Sequence, residues 1–135
     1  MDCIELNPAH DFTKWEEKYL RELNLLEFGK SLGNMLLFED PSIRLWNLKL
    51  QAKERLPFLR HNKNYSWISE SDAILKSRFG NGRISLIRVK KGDTMYLENS
   101  SKDYINDLEN LGEEPAIFKV LEYKKKSRDL LPMLN

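Results

Sequence analysis

The chain has 135 residues, of which 41% are hydrophobic and 32% charged, and its 22 basic and 21 acidic side chains leave a formal charge of +1. This length suits one domain with a single buried core. The near-zero charge gives no global attraction to nucleic acid or to an anionic membrane, so we expect neither as a partner. One cysteine, Cys3, excludes an internal disulfide and any site built from several thiolates.

Targeting signals are not evident in the sequence. No apolar run approaches the ~20 residues that a membrane-spanning helix needs. Residues 1–9 lack the basic start and the apolar stretch of a signal peptide. The sequence therefore predicts a cytoplasmic protein.

An amphipathic helix is the first predicted element. Thr13 followed by Glu16 fits a capping box, Asp11 is a competing cap, and the helix is expected to end near Gly29 or Gly33. Its single apolar stripe predicts one buried face, packed against the rest of the domain or against a second subunit. The stripe has spacings of three and four and consists of Phe12, Trp15, Tyr19, Leu23 and Leu26.

From Met35 onward the pattern changes to short strands separated by turn residues. Among the turn signals, Asn81-Gly82 predicts a two-residue type I′ hairpin, in which both residues have positive φ. About nine strands at intervals of about 8–12 residues predict an all-β sandwich or closed barrel. The predicted strands are Met35–Glu39, Ser42–Leu50, Leu56–His61, Tyr65–Ser69, Ala73–Phe79, Arg83–Val89, Thr94–Glu98, Tyr104–Leu108 and Ala116–Tyr123.

Several of these segments resemble the cupin family of metal-binding β-barrels. Leu-Pro-Phe-Leu-Arg-His at 56–61, followed by Tyr65-Ser66-Trp67, resembles the first cupin motif, in which two histidines flank one residue and an acidic or aromatic residue follows four positions later. Lys90-Lys91-Gly92-Asp93 resembles the turn that opens the second motif, and residues 106–115 resemble the end of that motif. The resemblance covers residues 35–123.

The resemblance implies an all-β fold, a cupin-type double-stranded β-helix or jelly-roll barrel with an N-terminal amphipathic helix. Residues 1–34 would then be a helical extension, residues 35–123 the barrel, and residues 124–135 a basic and apolar tail. Cupins of this kind often pair through N-terminal strands and barrel faces, so the resemblance also implies a homodimer.

At the positions where the resemblance places metal ligands, the chain has Leu59, His61, Tyr65 and Asn106. Because side chains alternate along strands, the first three should share with Trp67 the face that points into a cupin barrel. Leu59 cannot coordinate a metal, and one imidazole falls short of the three groups of a 2-His-1-carboxylate site. We therefore expect no cofactor, and these five residues are candidates for a ligand-binding pocket.

Other residues have both a functional and a structural interpretation. His61 could hydrogen-bond a ligand or act as an acid or base, or it could be a structural histidine bonded to Tyr65, Asn106 or water. Trp46 and Phe58 could extend an aromatic pocket or simply fill the barrel.

Charged residues on the predicted strands are expected to face solvent. Asp107 and Glu109 alternate away from Asn106, which favours an outward direction for both. An inward arginine would pair with an anionic ligand or an internal carboxylate. The basic residues concerned are Arg44, Lys76, Arg78, Arg83 and Arg88.

Together these observations favour a cupin-fold protein with an eroded metal site that binds a small molecule or a partner without metal chemistry. The alternative is a cupin enzyme, dioxygenase-, isomerase- or decarboxylase-like, with a divalent transition metal or no metal in a rearranged site around His61. An acidic residue close to His61 would favour the enzyme. A third possibility, a purely structural barrel, would leave no cavity beside His61.

Overall fold

Ten strands and one helix form in the parts of the chain that the computed structural model describes, residues 1–25, 31–98 and 104–124. The nine strands predicted from residue 35 onward are present, with ends within about two residues of the predicted ends. The elements are β1 (Asp2–Asn7), α1 (Glu17–Leu25), β2 (Met35–Glu39), β3 (Ile43–Leu50), β4 (Arg55–His61), β5 (Asn64–Ser69), β6 (Ala73–Arg78), β7 (Ile84–Val89), β8 (Thr94–Leu97), β9 (Tyr104–Asn110) and β10 (Ala116–Tyr123).

The strands form two five-stranded antiparallel sheets. Sheet A has the order β1-β7-β6-β9-β4, and sheet B has the order β2-β3-β10-β5-β8. Alternating residues of both sheets are buried between them, as in β10, where every second residue from Ala116 is buried. The predicted all-β jelly-roll fold is confirmed. The core between the sheets consists of Leu48, Leu50, Tyr65, Leu75, Val89, Ala116, Phe118 and Val120.

Strand β1 was not predicted from the sequence. It lies antiparallel to β7, with Cys3 opposite Ile87, so the first residues of the chain complete sheet A. Its two aliphatic residues, Ile4 and Leu6, are both exposed. Ile4 and Leu6 alternate with polar residues, but this apolar side faces solvent rather than the core. The segment therefore lacks the buried apolar face by which strands are recognised in a sequence.

Helix α1 begins later than the capping box predicted. The Asp11 carboxylate accepts hydrogen bonds from the backbone N–H and the hydroxyl of Thr13, so Thr13 is held in a turn and cannot cap the helix. Regular helix starts at Glu17. Of the two expected helix ends, Gly29 lies outside the described residues, like the tail after Lys124, and Gly33 lies in a non-helical segment before β2.

The apolar face of the N-terminal segment packs on the outer side of sheet A. Trp15 and Leu23 are buried there with Phe58, and the Trp15 and Phe58 rings are stacked with centroids 6.2 Å apart. The Trp15 indole N–H donates to the Gly82 carbonyl over 2.8 Å. The helix therefore covers its own barrel.

Under the helix lies a buried ion network, which corrects the expectation that Asp107 faces solvent. The Asp107 carboxylate is 1% exposed and accepts hydrogen bonds from Arg55 and Arg78 at 2.7 and 2.9 Å. Arg55 also binds Glu22 of α1 over 2.8 Å. The side chain of Asp107 does alternate away from the barrel interior, but the helix segment covers it.

Arg78 was likewise expected in solvent and is 3% exposed. Its guanidinium lies 3.7 Å from the centre of the Tyr19 ring and also binds Glu109 over 3.0 Å. Burial is tolerated because two carboxylates and an aromatic face replace water around the charge.

The hairpin between β6 and β7 has a longer loop than predicted. Of its turn residues only Gly82 has positive φ, at 99°, and its N–H donates to the Phe79 carbonyl. The Asn81 side chain instead accepts from the Arg83 N–H. This is the three-residue pattern, a type I turn followed by a left-handed residue, rather than type I′.

Substituting Gly82 tests how tightly this turn is held. A Cβ at Gly82 would lie 3.2 Å from the His10 nitrogen and 3.3 Å from the Phe12 ring, whereas Gly92, with φ of 94°, has nothing within 4 Å of a Cβ. We expect Gly92→Ala to lower the free energy of unfolding by about 1–2 kcal/mol, and Gly82→Ala by about 3 kcal/mol because crowding is added to strain. Urea titration measures both, and equal losses would contradict this.

Candidate functional site

A cavity of about 370 Å³ lies between the two sheets, and all five candidate residues line it. Leu59 and His61 come from β4, Tyr65 and Trp67 from β5, and Asn106 from β9. Asn106 lies directly opposite Leu59 in the β4–β9 register. The strand alternation read from the sequence thus brings these side chains together around one space.

A β-bulge in β4 sets which residues face this space. Leu56 pairs with Leu108 and Leu59 with Asn106, so β4 has one residue more than β9 between these pairs. The extra residue lies around Pro57, which cannot donate to the ladder and is suited to a bulge. Both Leu56 and Leu59 therefore line the cavity, although they are three positions apart.

Hydrogen bonds inside the barrel fix the proton on His61. The Ser77 hydroxyl donates to the Asp107 backbone carbonyl over 2.6 Å, so its oxygen is the acceptor for the Asn106 amide N–H at 3.0 Å. The Asn106 carbonyl oxygen then faces His61 Nε2 at 2.5 Å. Because that oxygen only accepts, Nε2 must carry a proton.

His61 is neutral in this environment. Burial lowers the pKa of its imidazole to about 4, and the hydrogen bond to Asn106 opposes this shift only in part. At neutral pH the ring is an uncharged, oriented hydrogen-bonding group. The imidazole therefore neither gains nor loses a proton near neutral pH, whereas a general acid or base with an ordinary histidine pKa would do so.

Aromatic rings form one wall of the cavity. The His61 and Tyr65 rings are stacked with centroids 5.1 Å apart. Trp67 meets Phe118 edge to face, with centroids 5.4 Å apart and an interplanar angle of 84°. Such a wall offers flat apolar surfaces beside the polar side chains.

The residues at the cupin ligand positions do not fit a metal. Leu59 has no donor atom, and the Nε2 of His61 is protonated and bonded to Asn106. In the described ranges no group of three or more His, Cys, Asp or Glu side chains is arranged to hold a metal ion. A 2-His-1-carboxylate centre cannot be built from this set.

Two aromatic residues proposed for the pocket lie elsewhere. Phe58 follows the bulge and points outward onto Trp15, not into the barrel. Trp46 is absent from the cavity wall, and its indole N–H donates to Glu122 over 3.0 Å. The alternation that directs Leu59 and His61 into the barrel directs Phe58 to the opposite face.

Three further residues line the cavity, and of these the sequence analysis considered an inward direction only for Arg83, a basic residue otherwise expected in solvent. Cys3 lines the cavity because β1 extends sheet A, and Arg83 and Ser85 line it from the β7 side. Alternation along β7 places Arg83 on the same face as Ser85 and Ile87 and so indicates an inward direction for the arginine. The position of Cys3 could be found only once β1 was known.

Several solved structures similar to this one are cupin or double-stranded β-helix domains. A cupin domain of Bordetella pertussis Tohama I aligns with a TM-score of 0.60 at 10% identity, covering 74% of this chain and 99% of that one. The cupin domain of Schizosaccharomyces pombe Cnp3 aligns at 0.55 and 13% identity, covering 98% and 94%. A double-stranded β-helix protein of Klebsiella pneumoniae aligns at 0.53 and 14% identity, covering 75% and 85%. The fold is that of the cupins, as the resemblance implied.

The other comparisons add no closer relative: no family model matches the sequence, and no curated protein matches it. The molecule has the cupin fold, with a cavity of about 370 Å³ between its two sheets. Among the described residues, no helix is long and apolar enough to cross a membrane.

The pH dependence of folding tests the state of His61. A histidine with a folded pKa of about 4 and an ordinary unfolded pKa of ~6.5 binds its proton more readily when unfolded. Stability should therefore fall as pH decreases from about 6.5 to about 4, by up to about 3 kcal/mol. His61→Gln should remove this part of the profile, measured by urea unfolding at each pH.

The exposed His10 provides the control. We expect His10→Gln to keep the loss of stability at low pH that His61→Gln removes. A His61 proton resonance that titrates near 6.5 in the folded protein would contradict a buried neutral ring.

Proposed function

We propose that this protein binds a small molecule in the barrel cavity through apolar contacts and hydrogen bonds, without metal chemistry. The observation that carries the proposal is the cavity of about 370 Å³ beside His61, a size within the ~300–1,000 Å³ of ligand pockets. Its wall has the usual composition of such pockets, mostly apolar with a few oriented polar groups.

Each alternative function has less support. A purely structural barrel would be filled by its own side chains, but space remains next to His61. An acidic residue close to His61 would favour the enzyme alternative, whereas the Asn106 amide bonded to His61 is neutral and supports a binding role. The cytoplasmic location expected from the sequence stays a prediction.

Filling the cavity should abolish binding of an apolar probe. Met95 lines the cavity from the edge strand β8, while its neighbour Thr94 is exposed on the opposite face. We expect 1-aminonaphthalene, a neutral dye that fluoresces more strongly in apolar surroundings, to bind the native protein. Met95→Trp should weaken that binding by about tenfold or more, since the indole occupies the same space.

Thr94→Trp is the matched control and should leave dye affinity unchanged. EDTA should also leave it unchanged, because the proposed binding uses no metal. Equal dye affinities of the native protein and Met95→Trp would place the dye outside the cavity and contradict the proposal.

We further propose that the protein is a homodimer through the outer face of sheet B. The strand registers place five residues, one from each strand, side by side across that face, and four of these five residues are hydrophobic. Sheets that face water usually carry polar residues there, so a contiguous apolar face favours a partner. The row consists of Phe38, Leu45, Leu121, Ser66 and Tyr96.

A second copy of the chain suits this face. Lys119, the cation near its centre, is already bonded to Glu70 and Asn47, so two copies would not bring unpaired charges together there. Four strand spacings give a width of about 19 Å. The β2 residues, exposed along the whole strand, would extend the contact towards the ~800 Å² per partner of a standard interface.

A charge on this face should separate the subunits. Light scattering of the native protein should give about twice the chain mass of 16.0 kDa, and Leu45→Glu should give a single chain because a buried unpaired carboxylate opposes association. Ile74→Glu, at an exposed apolar position of sheet A, should remain dimeric. A native protein that is monomeric at micromolar concentration would overturn this proposal.

A further inference from the structure

Arg83 brings a positive charge to the cavity mouth. The residue precedes β7, and alternation places it on the same face as Ser85 and Ile87, which also line the cavity. Ile84, between them, packs on the opposite side of the sheet with Trp15. The guanidinium lies 4.2 Å from the centre of the Phe79 ring, another residue of the cavity wall.

The other charged groups that line the cavity are already neutralised. Asp107 borders the cavity, but its carboxylate lies on the other side of sheet A, where it binds Arg55 and Arg78. The amino group of Met1 lies 3.3 Å from the Asp93 carboxylate. Within the described ranges, Arg83 takes part in no salt bridge. One lining cation therefore lacks a counter-ion in this part of the chain.

The rest of the cavity suits an uncharged body. Its wall is largely aliphatic and aromatic, and two of its polar side chains, His61 and Asn106, are neutral. A charged group placed there would lose its hydration without an opposite charge. At ~30 Å³ per water-sized atom, the volume of about 370 Å³ holds roughly a dozen non-hydrogen atoms.

We infer that the cavity binds an amphipathic monocarboxylate, whose apolar chain lies between the sheets and whose carboxylate lies against Arg83. This inference rests on the proposed small-molecule function and names its ligand class. A single planar guanidinium matches a carboxylate in charge and in its two-point hydrogen bonding. A phosphate dianion would leave part of its charge unmatched.

Two ligands of equal size separate the contribution of the charge from that of the chain. Decanoate and decanamide each have twelve non-hydrogen atoms and the same apolar tail. We expect the native protein, in isothermal titration at low ionic strength, to bind decanoate about tenfold more tightly than decanamide, as suits one exposed charge-assisted contact. Arg83→Gln should remove this preference and leave the affinity for decanamide unchanged.

Arg88→Gln is the matched control. Arg88 is exposed on β7 and alternates to the opposite face of the strand, so this variant has the same net charge as Arg83→Gln and should keep the preference for decanoate. Loss of the preference for decanoate in Arg83→Gln, together with its retention in Arg88→Gln, would support the inference.

Other outcomes would be decisive. Equal affinities of the native protein for both ligands, or a preference that survives Arg83→Gln, would overturn the carboxylate inference, while binding sensitive to Met95→Trp would still support small-molecule function. Failure of both ligands and of the neutral dye to bind would overturn both proposals.

Discussion

Asp107 and Asn106, consecutive residues of β9, connect the outside of the barrel to its cavity. The Asp107 carboxylate holds Arg55 and Arg78, and Arg55 in turn holds Glu22 of the helix. The Asp107 carbonyl accepts from Ser77, which orients the Asn106 amide towards His61. A residue whose side chain is needed for helix packing thus fixes, through its backbone, the polar groups of the cavity. Rigid support of this kind is what an oriented binding site requires.

Burial away from water has opposite consequences for the charge of ionisable groups on the two faces of sheet A. Beneath the helix, Asp107 is buried together with guanidinium groups that compensate its charge. Inside the barrel, burial of His61 outweighs its hydrogen bond to Asn106, so the pKa of the imidazole is lowered and the ring stays neutral. Sheet A separates this charged layer from the neutral polar groups His61 and Asn106, and Arg83 brings a charge without a salt bridge among the described residues to the cavity wall.

Much of this arrangement could be predicted from the sequence because strands alternate with a period of two. The strand positions and the convergence of His61, Tyr65 and Asn106 followed from that period and from the cupin resemblance. That Leu56 lines the cavity together with Leu59 did not follow, since a bulge inserts a residue without changing composition. The burial of Asp107 also could not be predicted, because alternation gives the face of a residue but not what covers that face.

The pairing of Leu59 with Asn106 is the feature on which the proposed metal-free binding depends. The two residues are direct neighbours across β4 and β9, so one ligand position is apolar and the adjacent one offers an amide. A metal site obtains its energy from coordination bonds, which need several donors at one point. A cavity with separated apolar and amide groups obtains it from burial of apolar area, while a few hydrogen bonds set orientation. Under the proposed function, the side chains at these two positions would therefore favour apolar burial over metal coordination within the same scaffold geometry.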